Sequence, residues 1–320
     1  MTISQEQANW YRQTFATLTD NIERVVLGKR AVIELVLAAM VSEGHVLLED
    51  YPGTGKTSLA RAIAQSIHGT SSRIQFTPDL LPGDVTGMTV YDQKTGLFEF
   101  HSGPIFANVV LADEINRASP KTQSALLEVM EEGAVTIDGK TRDVGNPFLV
   151  IATQNPVEQA GTYRLPEAQL DRFMLKTSLG YPDHATTMRI IEGSAQPRHT
   201  VGPVITLETL TQMSALASEV YVAPQVVDYI ARIVATTRDA EQVRLGSSVR
   251  GAIALTRAAK AKAASEGRTY VVPDDVKALA SPVLAHRLIL HPEAEFDGVT
   301  AEAVLAQVVL EVPPPASQIA

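Results

Sequence analysis

The stretch LLEDYPGTGKTSLA, residues 47 to 60, carries the residue types that bind a phosphate group. It matches the end of the pattern G-x-x-x-x-G-K-[ST] through Gly55, Lys56 and Thr57, but Asp50 stands where the first glycine is expected. Lys56 is predicted to contact the β- and γ-phosphates of a nucleotide, and the Thr57 hydroxyl to bind Mg²⁺. The alternative for this stretch taken alone is a glycine-rich turn with an exposed lysine.

The loop and the first turn of the helix after it form the predicted nucleotide-binding segment. Two of its glycines, at 53 and 55, let the backbone curl tightly around the phosphates, so we expect binding to survive the irregular residue. The acid at position 50 would either weaken the affinity for a triphosphate or point away from it. The residues predicted to bind the nucleotide are Asp50, Tyr51, Pro52, Gly53, Thr54, Gly55, Lys56, Thr57 and Ser58.

A pair of adjacent acids, Asp113 and Glu114, follows the buried-strand pattern in NVVLADEINRA. Ligands bind near the carboxyl ends of parallel strands, so these acids are candidates for chemistry. Asp113 is predicted to hold Mg²⁺ through water, and Glu114 to orient or deprotonate the attacking water. The alternative is an acidic cap on the next helix. The position of the pair, one strand and one helix after a phosphate loop, favours the catalytic interpretation over the cap.

Three further polar residues are candidates for sensing the nucleotide or stabilising the charge that develops on it. Asn155 ends the strand-like run FLVIATQNP, where an amide can position water; a simple strand-ending turn is the alternative. Arg172, in LPEAQLDRFML, is either a surface ion pair or an arginine delivered to a neighbouring subunit's ATP. Arg250, in RLGSSVRGAIAL, either starts a helix without a partner or reports the nucleotide state to that helix.

Strand-like and helical segments alternate over the first two thirds of the chain. Continuous aliphatic runs of this kind, alternating with helices, indicate a parallel sheet covered on both faces. After a Pro- and Gly-containing segment near residue 195 the pattern becomes helical. We predict a nucleotide-binding core with N-terminal helices at 1–198, a helical domain at 199–292 and a C-terminal tail at 293–320. The predicted strands are HVLLE, RIQFT, NVVLAD, FLVIAT and FMLKTSL.

These motifs, in this order, resemble those of AAA+ ATPases, and the longer segments RIQFTPDLLPGDVTG, GPIFANVVLADEINRASPKTQSALLEVMEE and GSSVRGAIAL resemble the MoxR family. The resemblance covers about residues 25 to 290. It implies an α/β fold, namely a P-loop core built as an αβα sandwich on a five-stranded parallel sheet, followed by a small all-helical lid domain. It also implies that Asn155 is the first sensor, Arg172 the finger acting in trans and Arg250 the second sensor. Two pore-facing insertions are implied as well, an inserted helix within 87–103 and a hairpin within 133–146.

By the same resemblance, the chain is an ATP hydrolase that uses Mg²⁺ and works as a homo-oligomer, a hexameric ring. It would remodel or mature a protein client, often by inserting a metal or cofactor, together with a partner that contains a von Willebrand factor A domain. One alternative is a nucleotide-switched scaffold with little turnover, against which Glu114 and Arg172 argue. A second alternative is a nucleic-acid motor.

Composition bounds these functions. The chain has 320 residues, no cysteine and a net charge of −9, which disfavours nucleic acid as a main partner because phosphate contacts need clustered Lys and Arg. The missing cysteines exclude disulfides and thiolate metal sites and fit a reducing compartment. The N-terminus lacks a secretory pattern, and AVIELVLAAMV is shorter than the ~20 apolar residues of a membrane span. We therefore expect a cytoplasmic protein.

Overall fold

The computed structural model describes residues 3–155, 163–193 and 201–315. Within those ranges, no helix combines the length and the apolar character needed to cross a membrane. The predicted boundary between 198 and 199 lies outside the described residues, as do 156–162 of the segment that ends at Arg172.

In the described part of the chain, the strands form one central sheet and three two-stranded pairs. The central sheet is fully parallel, in the order β2-β5-β8-β1-β9, so all five predicted strands are confirmed. The pairs β3–β4, β6–β7 and β10–β11 are antiparallel. In chain order the strands are β1 (Val46–Glu49), β2 (Ser71–Gln75), β3 (Gly87–Asp92), β4 (Leu97–Ser102), β5 (Val109–Asp113), β6 (Ala134–Ile137), β7 (Lys140–Asp143), β8 (Leu149–Gln154), β9 (Leu175–Thr177), β10 (Val243–Leu245) and β11 (Ile289–Leu290).

The helices fall into a group before the sheet, a group between its strands and a C-terminal group. Proline occupies the first turn of several of them, where its missing N–H costs no hydrogen bond. In chain order they are α1 (Gln5–Glu23), α2 (Arg30–Val41), α3 (Lys56–Ser66), α4 (Pro82–Thr86), α5 (Pro120–Glu132), α6 (Glu167–Leu170), α7 (His184–Gly193), α8 (Leu207–Ser218), α9 (Pro224–Asp239), α10 (Val249–Ser265), α11 (Pro273–Leu284), α12 (Pro292–Phe296) and α13 (Ala301–Glu311).

Strands β1, β5 and β8 are buried on both faces, as their continuous aliphatic runs predict, whereas the edge strand β2 is largely exposed. In β1, Val46 and Leu48 belong to the core that contains α2 and α3, whereas Leu47 belongs to the core formed with α5. This alternation follows from the two-residue period of a strand. The three layers are therefore helix, sheet and helix.

The C-terminal helices share a core with the N-terminal ones. Helices α1 and α2 pack against α8 and α10, and one continuous apolar cluster extends from them into the C-terminal group. Two features of this region were not predicted. The short pair β10–β11 lies among the helices, and α13 packs on α9 and α11 inside the predicted tail, burying Val304, Leu305 and Val308.

The expected inserted helix within 87–103 is wrong, because that segment is the antiparallel hairpin β3–β4. Its residues are rich in Thr, Val, Tyr and Phe, which favour strands. The turn explains the reversal: the Asp92 carboxylate accepts hydrogen bonds from the Lys94 N–H and the Thr95 hydroxyl, and Gly96 adopts φ 70°. The second expected insertion is present as the hairpin β6–β7.

Candidate nucleotide site

The phosphate loop joins the end of β1 to the start of α3. Gly53 (φ 83°) and Gly55 (φ 97°) both adopt left-handed backbone conformations that disfavour other residues. Gly55 is also the N-cap of α3 and supplies no side-chain cap. The N–H groups of the first turn of α3 therefore face the loop without a side-chain acceptor, which is the arrangement that suits an anion. The Lys56 Nζ donates to the Asp50 carbonyl oxygen at 3.3 Å.

Asp50 does not face the concave side of the loop. Its side chain is 1% exposed, and its carboxylate accepts hydrogen bonds from the turn that follows β9. Of the two alternatives left open by the sequence, the acid that points away from the phosphates is the one observed. Its negative charge is therefore held by donors of the protein itself.

Asp113 and Glu114 lie at the same edge of the sheet as the loop, where the parallel strands end; this edge is here called the loop edge. Asp113 accepts a hydrogen bond from the Thr153 hydroxyl at 2.6 Å and pairs with Arg73 at 2.7 Å. Glu114 pairs with the Arg117 guanidinium at 2.7 Å. Because β8 lies between β5 and β1, the two acids are one strand removed from the loop.

Glu114 has an unusual backbone. Its φ of 57° and ψ of 48° are left-handed, a conformation that costs energy for a residue other than glycine. Its N–H donates to the Thr153 hydroxyl at 2.9 Å, which helps to hold that conformation. Asn155 follows the end of β8, beside Thr153, so the structure brings this predicted sensor to the edge that carries the acids.

The residues of the phosphate loop and the two acids fit a nucleoside triphosphate with Mg²⁺. The described residues contain no group of three or more His, Cys, Asp or Glu side chains suited to hold a metal. Mg²⁺ prefers few protein oxygens and keeps water and phosphate ligands, so the Thr57 hydroxyl and the Asp113 carboxylate are donors of the expected kind. The uncapped start of α3 is suited to the phosphates.

Arg172 and Arg250 lie at the opposite edge of the sheet, where the parallel strands begin; this edge is here called the arginine edge. Arg172 precedes β9, which pairs in parallel with β1 from Leu175 opposite Val46, so Arg172 lies on the side where β1 begins. The four residues of β1 span about 13 Å and separate this side from the phosphate loop. Both arginines pair with Glu131 at the end of α5, at 3.0 Å and 2.7 Å respectively.

Four residues of these two regions were missed by sequence reasoning. Arg73 and Gln75 reach the acids from β2, which only the strand order places beside β5. Arg117 stands three residues after Glu114, a spacing that places two side chains on one face of a helical turn and was visible in the sequence. Glu131 carried no signal, because its partners come from two distant segments.

Comparisons with known proteins agree with this geometry. The family model described as "ATPase family associated with various cellular activities (AAA)" matches residues 45–175, and the AAA lid domain model matches residues 235–308. Chaperone MoxR1 of Mycobacterium tuberculosis is 41% identical over 300 residues, covering 91% of this chain and 80% of the relative. The chain belongs to the MoxR family of AAA+ ATPases.

Two further matches extend over nearly the whole chain. The uncharacterized protein YeaC of Bacillus subtilis is 51% identical over 298 residues, which covers 92% of this chain and 93% of the relative. The crystal structure of a candidate ATPase from Cytophaga hutchinsonii superposes with a TM-score of 0.91 at 39% identity and covers 97% of each chain. The predicted family and the predicted fold, a P-loop core with a helical lid, are both confirmed.

Proposed function

We propose that this MoxR-family ATPase hydrolyses Mg·ATP at the boundary between identical subunits of a ring and uses that reaction to remodel protein partners. Membership of the AAA+ family supports ATP binding and hydrolysis in general. The observation that carries the finer proposal is the position of the arginines. The phosphate loop and the acids occupy one edge of the sheet, while Arg172 and Arg250 occupy the other.

Each residue at the loop edge has a role in the proposed reaction. Lys56 would exchange the Asp50 carbonyl for phosphate oxygens. Thr57 and Asp113 would hold Mg²⁺, which would offset the negative charge of the phosphates. Glu114 accepts a proton from the attacking water or orients it, once its carboxylate is free of Arg117. The amide of Asn155 positions the same water from the end of β8.

The arginines complete the site of a neighbour. An arginine that reaches transferring phosphate stabilises the charge of the transition state. Because Arg172 lies across the sheet from the loop of its own subunit, we propose that it serves the next subunit in the ring. Arg250, which shares Glu131 with Arg172, would sense the nucleotide of that same neighbour. A closed ring, here proposed as a hexamer, places every loop against such a pair.

The proposed client is a protein that contacts the two hairpins. The tip of β3–β4 exposes large apolar side chains, with Phe98 75% exposed and Leu97 63% exposed. Arg142 of β7 lies over the Phe100 ring at 3.9 Å, so the two hairpins form one surface. Work in the cytoplasm, maturation of a complex by metal or cofactor insertion, and a partner with a von Willebrand factor A domain complete the proposal. The last two points rest on the family resemblance alone, whereas the cytoplasm is proposed because the chain contains no cysteine.

Phosphate release and nucleotide binding by purified protein test the proposal. We expect Lys56→Ala to lose binding of a fluorescent ATP analogue, whereas the matched lid variant Lys277→Ala keeps it. Glu114→Gln should bind ATP and lose turnover by about 100-fold or more, the size of general-base effects. Unchanged affinity in Lys56→Ala would contradict a nucleotide site at this loop. If wild type and Glu114→Gln bind ATP and are equally inactive, the protein is a nucleotide-switched scaffold instead.

A further inference from the structure

The carboxylate of Asp50 is buried and satisfied by one short turn. It accepts hydrogen bonds from the Ser178 hydroxyl at 2.9 Å, the Leu179 N–H at 2.6 Å and the Gly180 N–H at 2.8 Å. A buried charge is costly unless several donors compensate it, and hydrogen bonds to a charged group are among the stronger ones. The contact between Asp50 and residues 178–180, here called the Asp50 clasp, is therefore a fixed connection.

The clasp is not imposed by the backbone of the loop. Asp50 is absent from the described residues with positive φ, so position 50 needs no glycine, in contrast to Gly53 and Gly55. The side chain at this position is therefore available for another task. It links the first residue of the phosphate loop to the segment after β9.

The same segment continues towards the lid domain. Tyr181 stacks on Tyr51 of the loop, with ring centroids 5.9 Å apart and planes at 10°. The Lys29 ammonium donates to the Tyr181 carbonyl at 2.9 Å. Asp183 then accepts the Thr186 N–H at 2.7 Å at the start of α7, the last described helix before the lid. Residues 178–183 are thus bound on one side to the phosphate loop and lead on the other side to the lid.

We propose that Asp50 is a positioning residue of the ATP site, whose clasp on residues 178–180 transmits nucleotide binding from the phosphate loop to the segment that leads to the lid. Its backbone carbonyl holds Lys56 and its carboxylate holds the turn, so one residue connects the phosphate-binding lysine with residues 178–183. When Lys56 moves to contact phosphate, its hydrogen bond to the Asp50 carbonyl changes, and Asp50 in turn shifts residues 178–180. This inference rests on the proposed ATPase function and adds the route by which binding reaches the lid.

Hydrogen-exchange mass spectrometry with and without Mg·ATPγS, combined with steady-state turnover, tests the clasp. The decisive variant is Asp50→Gly, which restores the usual glycine of the motif and removes the clasp. Ser178→Ala removes one donor and leaves the loop sequence intact. Asp297→Gly is the matched control, since Asp297 is an exposed residue after α12.

In wild type, the nucleotide is expected to slow exchange both in residues 50–58 and in residues 178–183. Asp50→Gly should keep the protection of 50–58 at saturating nucleotide and lose that of 178–183. Its kcat should fall by about tenfold or more with a smaller change in affinity, because hydrogen bonds to a charge are lost away from the phosphates. Ser178→Ala should shift both readouts in the same direction by a smaller amount, and Asp297→Gly should match wild type.

The inference would be overturned if, in Asp50→Gly, the nucleotide still slowed exchange in both 50–58 and 178–183 and kcat equalled that of wild type. If Asp50→Gly shows no cooperative thermal unfolding, the test rests on Ser178→Ala. Hydrogen exchange and kcat equal to those of wild type in Ser178→Ala would then overturn the inference. Failure of the ATPase proposal looks different, because wild type itself would then show no turnover, whether or not it binds ATP.

Discussion

His45 is a buried ring that connects three elements at the arginine edge of the sheet. The ring lies just before β1, its Nε2–H donates to the Met130 carbonyl of α5 at 2.9 Å, and its Nδ1 accepts the Val150 N–H of β8 at 3.1 Å. These two bonds require the neutral tautomer. Burial, the largest cause, and the nearby Arg257 charge lower the pKa of His45 to about 4, although the bond to Met130 opposes the shift.

Acid is expected to destabilise the protein through this histidine. Above pH 6.5, the ordinary value, His45 is neutral in both the folded and the unfolded chain, so its full contribution is present. As the pH falls from 6.5 towards 4, only the unfolded chain takes up the proton, and the free energy of unfolding should decrease by roughly 3 kcal/mol. Urea unfolding at pH 7 and pH 5 measures the part of this loss that falls above pH 5, about 2 kcal/mol.

The matched variants for that measurement are His45→Gln and His291→Gln. We expect His45→Gln to be less stable at pH 7 and to show a smaller decrease between pH 7 and pH 5, while the exposed His291→Gln follows wild type. Part of the decrease should persist in His45→Gln, because burial also lowers the pKa of His286. An identical pH dependence in wild type and His45→Gln would show that His45 is not the group responsible.

At the scale of elements, Glu131 joins the end of α5 to the start of α10. It holds Arg172 of the core and Arg250 of the lid at the same time, and Arg172 also donates to the Leu127 carbonyl at 2.7 Å. Asp171 adds to the cluster by pairing with Arg287. The two arginines proposed to reach one neighbouring phosphate are thus kept side by side across the boundary between core and lid.

Glu131→Gln is expected to reduce kcat several-fold and to leave nucleotide affinity unchanged. Because Glu131 is partly exposed, the free energy of unfolding should change by only about 1 kcal/mol or less. Turnover, nucleotide binding and thermal unfolding measured on the same preparation separate these effects. Glu132→Gln, at the next and exposed position of α5, should behave as wild type. A loss of nucleotide affinity in Glu131→Gln would instead tie Glu131 to the loop of its own subunit.

At the scale of the whole molecule, the proposed mechanism gives each chain one half of two sites. The loop edge contributes Lys56 and Glu114, and the arginine edge contributes Arg172. Separate inactivation of the two halves should therefore be repaired by mixing. Glu114→Gln and Arg172→Ala should each be nearly inactive alone. In an interface between the two variants, an Arg172→Ala subunit can supply the intact loop and Glu114, while a Glu114→Gln subunit supplies the intact Arg172. If neighbours are random in an equimolar mixture, about one quarter of the interfaces should have this arrangement and be complete.

Mixing Glu114→Gln with Lys56→Ala is the matched control for this experiment. In that mixture every subunit with an intact glutamate lacks the loop lysine, so no complete site forms and phosphate release should stay at background. Recovery should also depend on protein concentration, because the ring must assemble. If the first mixture recovers nothing although both variants assemble with wild type, Arg172 does not act between subunits.

The phosphate loop and the sheet were predictable because their signals are local. Gly53, Gly55 and Lys56 are contiguous with the strand and helix that position them, and five aliphatic runs became five strands. The hairpin at 87–103 differs from the inserted helix that the family resemblance implied. Its β-favouring residues and the turn at Asp92 are local signals for a hairpin that the sequence contains. Helix α13 was missed because its polar and proline-rich surroundings suggested a tail.

The sequence by itself determined the chemistry available to this protein: a phosphate loop, two acids at a strand end, an amide and two arginines, on a parallel sheet with a helical lid. Only the tertiary structure decided which of these groups meet. The strand order places Asp113 beside Thr153 and Arg73, and the direction of β9 places Arg172 across the sheet from Lys56. Asp50 likewise finds its partners 128 to 130 residues away. Local patterns specify strands and turns, but contacts between distant segments depend on how the strands pack, which spacing along the chain does not encode.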